Sequence, residues 1–142
     1  MALKVQEIEI ALSMIFLLTG LIMLGFSILL FNKLWKSDTL IGVIFFYLLF
    51  SFSLNYLFAF GYATASGFNI NSIIDSNGSN ISGTWNFVYF SYSVFYNSVQ
   101  GYIPNGYQKL IVIIHTAISY ILHIIVLTCI IQRKLVCGQD RN

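Results

Sequence analysis

Apolar residues are concentrated in three long runs, and short polar segments separate these runs. The first covers residues 10–31 and the third covers 110–131, both without a formal charge, and the second covers about 39–63. A helix of roughly 20 apolar residues crosses the ~30 Å hydrocarbon layer of a bilayer. The pattern therefore predicts three transmembrane helices, and the polar residues at 37–39 can cap the start of the second one.

A fourth run, residues 85–103, has a different composition. It is rich in Trp, Phe and Tyr, it mixes them with Asn and Ser, and it has no Leu. Trp and Tyr favour the membrane–water boundary over the centre of the bilayer. Thr84 can cap a short helix over 85–97, which Pro104 and two neighbouring glycines prevent from continuing. We expect a half-helix that enters the membrane and an extended loop, 98–107, that returns to the same side.

Basic residues predict how the chain is oriented. Lys33 and Lys36 lie between the first two helices, and three further basic residues follow the third helix. The positive-inside rule places both groups in the cytoplasm, which requires an even number of crossings between them. The N-terminus and the loop 64–84 are then outside and the C-terminus is cytoplasmic, and we expect the plasma membrane. The three basic residues that follow the third predicted helix are Arg133, Lys134 and Arg141.

Composition agrees with this topology and excludes several function classes. Hydrophobic residues make up 58% of the chain and charged residues 8%, whereas an average soluble domain has about 25% charged residues. The fold class we predict is an all-α integral membrane protein. The net charge of +2 does not indicate nucleic acid. No nucleophile–base arrangement, carboxylate pair, metal-ligand cluster or phosphate loop occurs, so we expect no enzyme, no metal site and no cofactor.

A re-entrant segment has a consequence for assembly. Non-helical backbone at membrane depth persists only where protein or water surrounds it. Three helices of one chain cannot enclose such a segment, but several copies around an axis can. The carbonyl end of the half-helix carries a partial negative charge, which favours a cation in the membrane interior.

The order of elements from 85 to 131 resembles the pore module of potassium-channel-like proteins. The residues YFS at 89–91 are similar to the Y-F-S that often opens pore helices in that family. The residues IPNG at 103–106 are similar to the I-x-P-x-G element after the filter, shortened by one residue. Lys109, Leu110 and the apolar helix with His115 are similar to inner helices of small bacterial and viral members.

The resemblance implies a homotetramer in the lipid bilayer, with two parts in each chain. Residues 1–36 would form an extra, peripheral transmembrane helix and its cytoplasmic link. Residues 37–142 would form the pore module, ending in a short cytoplasmic tail. Within that module, 39–63 would be the outer helix and 110–131 the inner helix.

The filter-like loop departs from the family pattern. The family filter reads T-V-G-Y-G-D, and two registers match it here. One places Gly101 on the second filter glycine, and the other places Ser98 and Val99 on T-V; neither gives two glycines around a tyrosine. The resemblance then implies a weakly selective pore for K⁺ or Na⁺, or one that does not conduct. The filter-like residues are Ser98, Val99, Gln100, Gly101 and Tyr102.

Polar residues on the third helix repeat with helical spacing. They can line a water-filled path, or they can form hydrogen bonds between helices. We predict that they line the pore, that His115 is solvated near the outer boundary, and that Asn55 in the second helix binds a neighbouring helix. The predicted pore-lining residues are Thr116, Ser119, Tyr120 and His123.

The outer loop contains two acceptor patterns for N-glycosylation, at Asn77 and Asn80. Both lie on the side that we predict to be outside.

A second function class fits the same pattern: a non-conducting membrane adaptor, an immunity protein or a lysis-related protein. The aromatic run would then be an interfacial or partner-binding element. Subunit number and water access to position 101 distinguish this class from a pore.

Overall fold

The computed structural model describes residues 2–35, 40–67, 73–99 and 101–139. The described residues are mostly helical, as the sequence predicts, but they also contain a small two-stranded sheet that the sequence pattern does not indicate. In chain order the elements are α1 (Ala2–Trp35), α2 (Leu40–Gly67), β1 (Ile73–Asp75), α3 (Thr84–Phe95), β2 (Tyr102–Pro104) and α4 (Gln108–Gln139).

Two of the helices are long and apolar enough to cross a membrane. They are the 27 residues Leu40–Ser66, with a mean hydropathy of 2.0, and the 25 residues Gln108–Gln132, with a mean hydropathy of 2.4. In α1 the described apolar part, Met14–Leu29, is shorter than the roughly 20 residues of a crossing. The second and third predicted crossings therefore have matching helices, and the first stays a prediction. The residues expected to cap α2, 37–39, lie outside the described residues.

α1 packs against α2 through one close backbone approach. The Ser53 hydroxyl donates a hydrogen bond to the Gly20 carbonyl oxygen at 2.7 Å, and the rings of Phe16 and Tyr56 stack at 5.2 Å. A Cβ added at Gly20 would lie 3.1 Å from Leu57 Cγ. The small residue at position 20 therefore allows the two helices to touch.

The core lies where α2, α3 and β1 meet, and α4 covers one side of it. Tyr62, Ile73 and Phe90 are fully buried there, and the rings of Tyr62 and Phe90 meet edge to face at 4.9 Å. Gln108, at the start of α4, bonds the end of α2, whereas His123, further along α4, bonds Tyr47 near the start of α2. α2 and α4 are therefore antiparallel.

The sheet joins the two ends of the segment that contains α3. β1 and β2 are antiparallel, with Ile73 opposite Pro104 and Asp75 opposite Tyr102. The extended return after α3 thus satisfies its backbone groups with a strand from the outer loop. The segment 76–101 leaves this sheet, forms α3 and comes back to it.

Candidate functional site

α3 begins one residue earlier than the sequence predicts. Gly83 occupies the N-cap position with φ 85°, and no side chain caps the helix. The prediction that Thr84 is the cap is therefore wrong, because Thr84 is the first helical residue and is buried. Positive φ costs glycine nothing, so Gly83 allows the sharp entry into the helix.

α3 ends at Phe95, two residues before the predicted end. Asn97 takes a left-handed conformation with φ 53°. The Asn97 N–H donates to the Val94 carbonyl at 3.1 Å, and the Ser98 N–H donates to the Ser93 carbonyl at 2.8 Å. These two bonds form a Schellman motif, in which an Asn can take the position usually held by Gly. The motif stops the helix and turns the chain toward the filter-like loop.

The described filter-like residues lie between this turn and the sheet. Ser98 and Gly101 are exposed, Val99 is partly buried, and Gln100 lies outside the described residues. Gly101 has φ 80°, a conformation that L side chains rarely adopt. Tyr102 belongs to β2 and packs edge to face on Phe90 of α3, with ring centroids 5.5 Å apart.

The acidic residue at the end of β1, Asp75, accepts hydrogen bonds from the turn that follows it. Asp75 Oδ1 accepts hydrogen bonds from the backbone N–H groups of Asn77 and Ser79, each at 2.9 Å. The same residue is opposite Tyr102 in the sheet. Asp75 therefore fixes the turn that follows β1, next to the strand that ends the filter-like loop. Asn77 and Asn80 are both exposed in this region, and their glycosylation stays a prediction.

The four predicted pore-lining residues lie together at the C-terminal end of α3. They line a recess of about 160 Å³ between α3 and α4, which we call the α3–α4 recess. The end of α3 supplies the opposite wall, so the helix terminus that carries a partial negative charge faces polar side chains. The lining residues are Val94, Phe95, Tyr96, Asn97, Thr116, Ser119, Tyr120 and His123.

Within the recess the polar side chains differ in availability. Ser119 is buried and donates to the His115 carbonyl at 2.8 Å, so its hydroxyl is used inside α4. His123 Nε2 lies 2.9 Å from the Tyr47 hydroxyl of α2, which holds its ring. Tyr120 is 52% exposed and Thr116 is partly buried. Tyr120 and Thr116 are therefore the more accessible polar groups of α4 in this recess.

His115 is not solvated, and the expectation that it lies at a hydrated boundary is wrong. Its side chain is fully buried, Nδ1 lies 3.1 Å from the Tyr62 hydroxyl, and its ring stacks on Phe58 at 3.9 Å with 7° between the planes. Among the described residues its Nε2 has no hydrogen-bond partner. α2 surrounds this imidazole with aromatic rings, which a single sequence does not reveal.

A third polar contact between α2 and α4 was also not predicted. Gln108 Nε2 donates to the Tyr62 carbonyl at 3.1 Å and to the Ser66 hydroxyl at 2.9 Å. Positions 108, 115 and 123 are seven and eight apart and share one face of α4. This spacing is the signal in the sequence that could have identified the face toward α2.

Comparison with known proteins identified no related protein. No protein-family model, curated protein or solved structure matches the chain.

Proposed function

We propose that this chain is a subunit of a homotetrameric, potassium-channel-like pore in a membrane, which passes monovalent cations with weak selectivity. The observation that carries the proposal is the placement of α3. This short helix lies between the two helices that can cross a membrane, its flanking strands pair with each other, and its C-terminal end borders the α3–α4 recess.

The length of α3 supports a re-entrant segment. Its 12 residues extend about 18 Å at 1.5 Å per residue, well below the ~30 Å of a hydrocarbon layer. The pairing of β1 with β2 keeps both ends of the segment at one place. A segment that starts and finishes at one place enters and leaves the membrane on one side. The number of membrane crossings between the two groups of basic residues is then even, as the positive-inside rule requires.

The electrostatics at the end of α3 favour a cation. The terminal carbonyl groups of a helix are equivalent to roughly half a negative charge. Here the C-terminal end of α3 borders a recess with hydroxyl and imidazole groups, and the described residues that line it include no Asp, Glu, Lys or Arg. A partly desolvated cation at this end would meet a favourable dipole and polar ligands.

The outward face of α4 supports assembly. Ile113, Ile121 and Ile124 are 64%, 58% and 62% exposed. In a bilayer this face contacts lipid or another copy of the chain. One chain supplies only one wall of a path along α4, so a closed path requires several copies, and four follows from the pore-module resemblance.

The loop 98–102 explains why we propose weak selectivity. A carbonyl-lined filter points successive carbonyl oxygens at one axis and replaces the hydration shell of the ion. Positive φ angles, which glycine adopts freely, allow that arrangement. Of the described loop residues 98, 99, 101 and 102, only Gly101 has a positive φ. The loop therefore offers fewer oriented carbonyls than a filter with two glycines.

The test is ion flux into liposomes that contain the purified protein, measured separately with K⁺ and Na⁺ gradients. Gly101→Asp adds a charged side chain to the filter-like loop, where the new Cβ would lie 3.4 Å from Ser76 Cβ, and Gly78→Asp is the matched control. Gly78 has φ 78°, close to the φ 80° of Gly101, but it lies in the outer turn with no atom within 4 Å of an added Cβ. Both substitutions therefore place an L residue at nearly the same positive φ.

We expect flux in the wild type and in Gly78→Asp, and at least about a tenfold loss in Gly101→Asp, which is about 1.4 kcal/mol in barrier height. Equal flux in the two variants would remove the loop from the path. An absence of flux from folded wild-type tetramers would exclude the pore and favour the non-conducting adaptor.

A further inference from the structure

We infer that Asn55 and Ser91 form a positioning pair that fixes the depth of α3 and, through it, the cation preference of the loop 98–102. This inference rests on the proposed pore function, and it concerns two residues that do not border the α3–α4 recess. Asn55 lies in the middle of α2, and Ser91 lies in the second half of α3. Both side chains are fully buried.

The contact between these two residues is specific. Asn55 Oδ1 accepts a hydrogen bond from the Ser91 hydroxyl at 3.1 Å, and Asn55 Nδ2 donates to the Ser51 carbonyl at 2.8 Å. The bond to Ser51 holds the amide in one orientation on its own helix. The carbonyl oxygen of that amide is then directed at α3. The prediction that Asn55 binds a neighbouring helix is confirmed, and the partner is α3.

The surrounding contacts make this bond important for the position of α3. The neighbouring contacts between α2 and α3 are largely aromatic, such as the rings of Phe52 and Tyr92 at 5.9 Å. Aromatic contacts retain much of their energy over small shifts, because centroid distances of 4.5–7 Å are all favourable. A hydrogen bond loses most of its energy over such shifts, because it weakens steeply outside a narrow range of distance and angle.

A change in the position of α3 would reach the loop directly. Ser91 is followed by about one turn of helix, which ends at Phe95, and then by the Schellman motif that closes at Ser98. A slip of one residue along a helix moves the following chain by about 1.5 Å and rotates it by about 100°. Ion preference in a narrow path depends on the number and placement of coordinating groups. The pair therefore acts on selectivity without touching the ion.

The experiment compares four variants with the wild type in liposomes: Asn55→Leu, Ser91→Ala, the double variant, and the control Ser53→Ala. Ser53 is equally buried, is two residues from Asn55, and bonds the Gly20 carbonyl of α1 at 2.7 Å. Its substitution removes a buried hydrogen bond of α2 without touching α3. The first readout is the ratio of K⁺ to Na⁺ flux.

The second readout does not need conduction. Ser98→Cys is introduced into the wild type and each variant, and Cys129→Ser and Cys137→Ser remove the two native cysteines. The rate at which a membrane-impermeant thiol reagent modifies position 98 is then measured. Ser98 is exposed at the end of the Schellman motif. The rate of its modification therefore reports the position of the end of α3 directly.

We expect each single variant of the pair to change the flux ratio by about threefold or more, which is about 0.7 kcal/mol, and to change the labelling rate at position 98. The double variant should differ from the wild type by less than the sum of the two changes, because each single substitution already removes the same hydrogen bond. Ser53→Ala should change neither readout, although it lowers the melting temperature.

Three outcomes would overturn the inference: neither readout moves in Asn55→Leu, both readouts move as far in Ser53→Ala, or the flux ratio stays constant while the label moves. If folded wild-type tetramers carry no flux, the pore function fails on its own. The selectivity role of the pair fails with it, and the labelling rates then decide whether the pair positions α3.

Discussion

Replacing Tyr62 with phenylalanine would remove one oxygen atom from the contact between α2 and α4. The Tyr62 hydroxyl lies 3.1 Å from His115 Nδ1, and both side chains are fully buried. The edge-to-face contact of ring 62 with Phe90 at 4.9 Å does not need the hydroxyl and should persist. The substitution therefore tests the hydrogen bond with little loss of packing.

The expected cost follows from what happens to the imidazole. Hydrogen bonds between membrane helices contribute about 0.6 kcal/mol on average. Leaving a buried polar group without a partner costs about 1–3 kcal/mol. Among the described residues, His115 Nε2 already has no partner, so Tyr62→Phe leaves neither ring nitrogen bonded. We expect a loss of about 1–2 kcal/mol in the free energy of unfolding.

Tyr47→Phe is the matched control. It removes the equivalent hydroxyl from His123, at 2.9 Å, but His123 borders two recesses and is only partly buried. Water in the recess can replace the lost partner there, and we expect a loss of at most about 0.6 kcal/mol.

The assay is reversible unfolding in mixed detergent micelles, with an increasing fraction of dodecyl sulfate and circular dichroism as the signal. A cycle with His115→Phe, which keeps the flat stacking on Phe58, isolates the coupling between positions 62 and 115. Tyr62→Phe should be nearly neutral in the His115→Phe background, since both polar partners are then absent. A loss in Tyr47→Phe equal to that in Tyr62→Phe, or an unchanged loss in the His115→Phe background, would refute the reasoning.

Two further predictions concern the end of α3 and its recess. Asn97→Ala should lower the free energy of unfolding by about 1 kcal/mol, because alanine at φ 53° is strained. Asn97→Gly should not lower it. The same unfolding assay checks this, and equal losses in the two variants would contradict it. Tyr120→Cys should lose flux after treatment with a charged thiol reagent, and Ile113→Cys should keep its flux, because position 113 lies on the outward face of α4 and does not border the recess. Block of both variants, or of neither, would contradict the placement of the path.

The sequence allowed the long helices to be predicted well, because uninterrupted apolar composition is a strong signal. The second and third apolar runs appear as α2 and α4, and the short helix predicted over 85–97 appears as α3, which ends at Phe95. The boundaries differ by a few residues, since tertiary contacts decide them. α4 starts at Gln108 rather than at 110, where the glutamine side chain binds the end of α2.

Other features depend on partners that are distant in the chain. β1 pairs with β2 across 27 to 31 positions, from Asp75 with Tyr102 to Ile73 with Pro104, and neither three-residue strand has a pattern of its own. From the sequence, His115 is a polar residue near the start of a helix. Its burial depends on contacts with the rings of Phe58 and Tyr62 in α2. Stacking of rings on two different helices, as between His115 and Phe58, has no local sequence signature.

The helical positions of the polar groups on α4 separate the contacts with α2 from the accessible lining of the α3–α4 recess. At about 100° per residue, His115, Ser119 and His123 lie within about 60° of Gln108, whereas Thr116 and Tyr120 lie about 80° and 120° away. The contacts to α2 through residues 108, 115 and 123 belong to the first group, and the accessible lining of the recess belongs to the second. His123 lies at the border and takes part in both. Substitutions in the first group should therefore act mainly on unfolding, and substitutions in the second mainly on flux. Since one helix carries both faces, the same bonds that hold α4 against α2 also determine which side chains it presents at the end of α3.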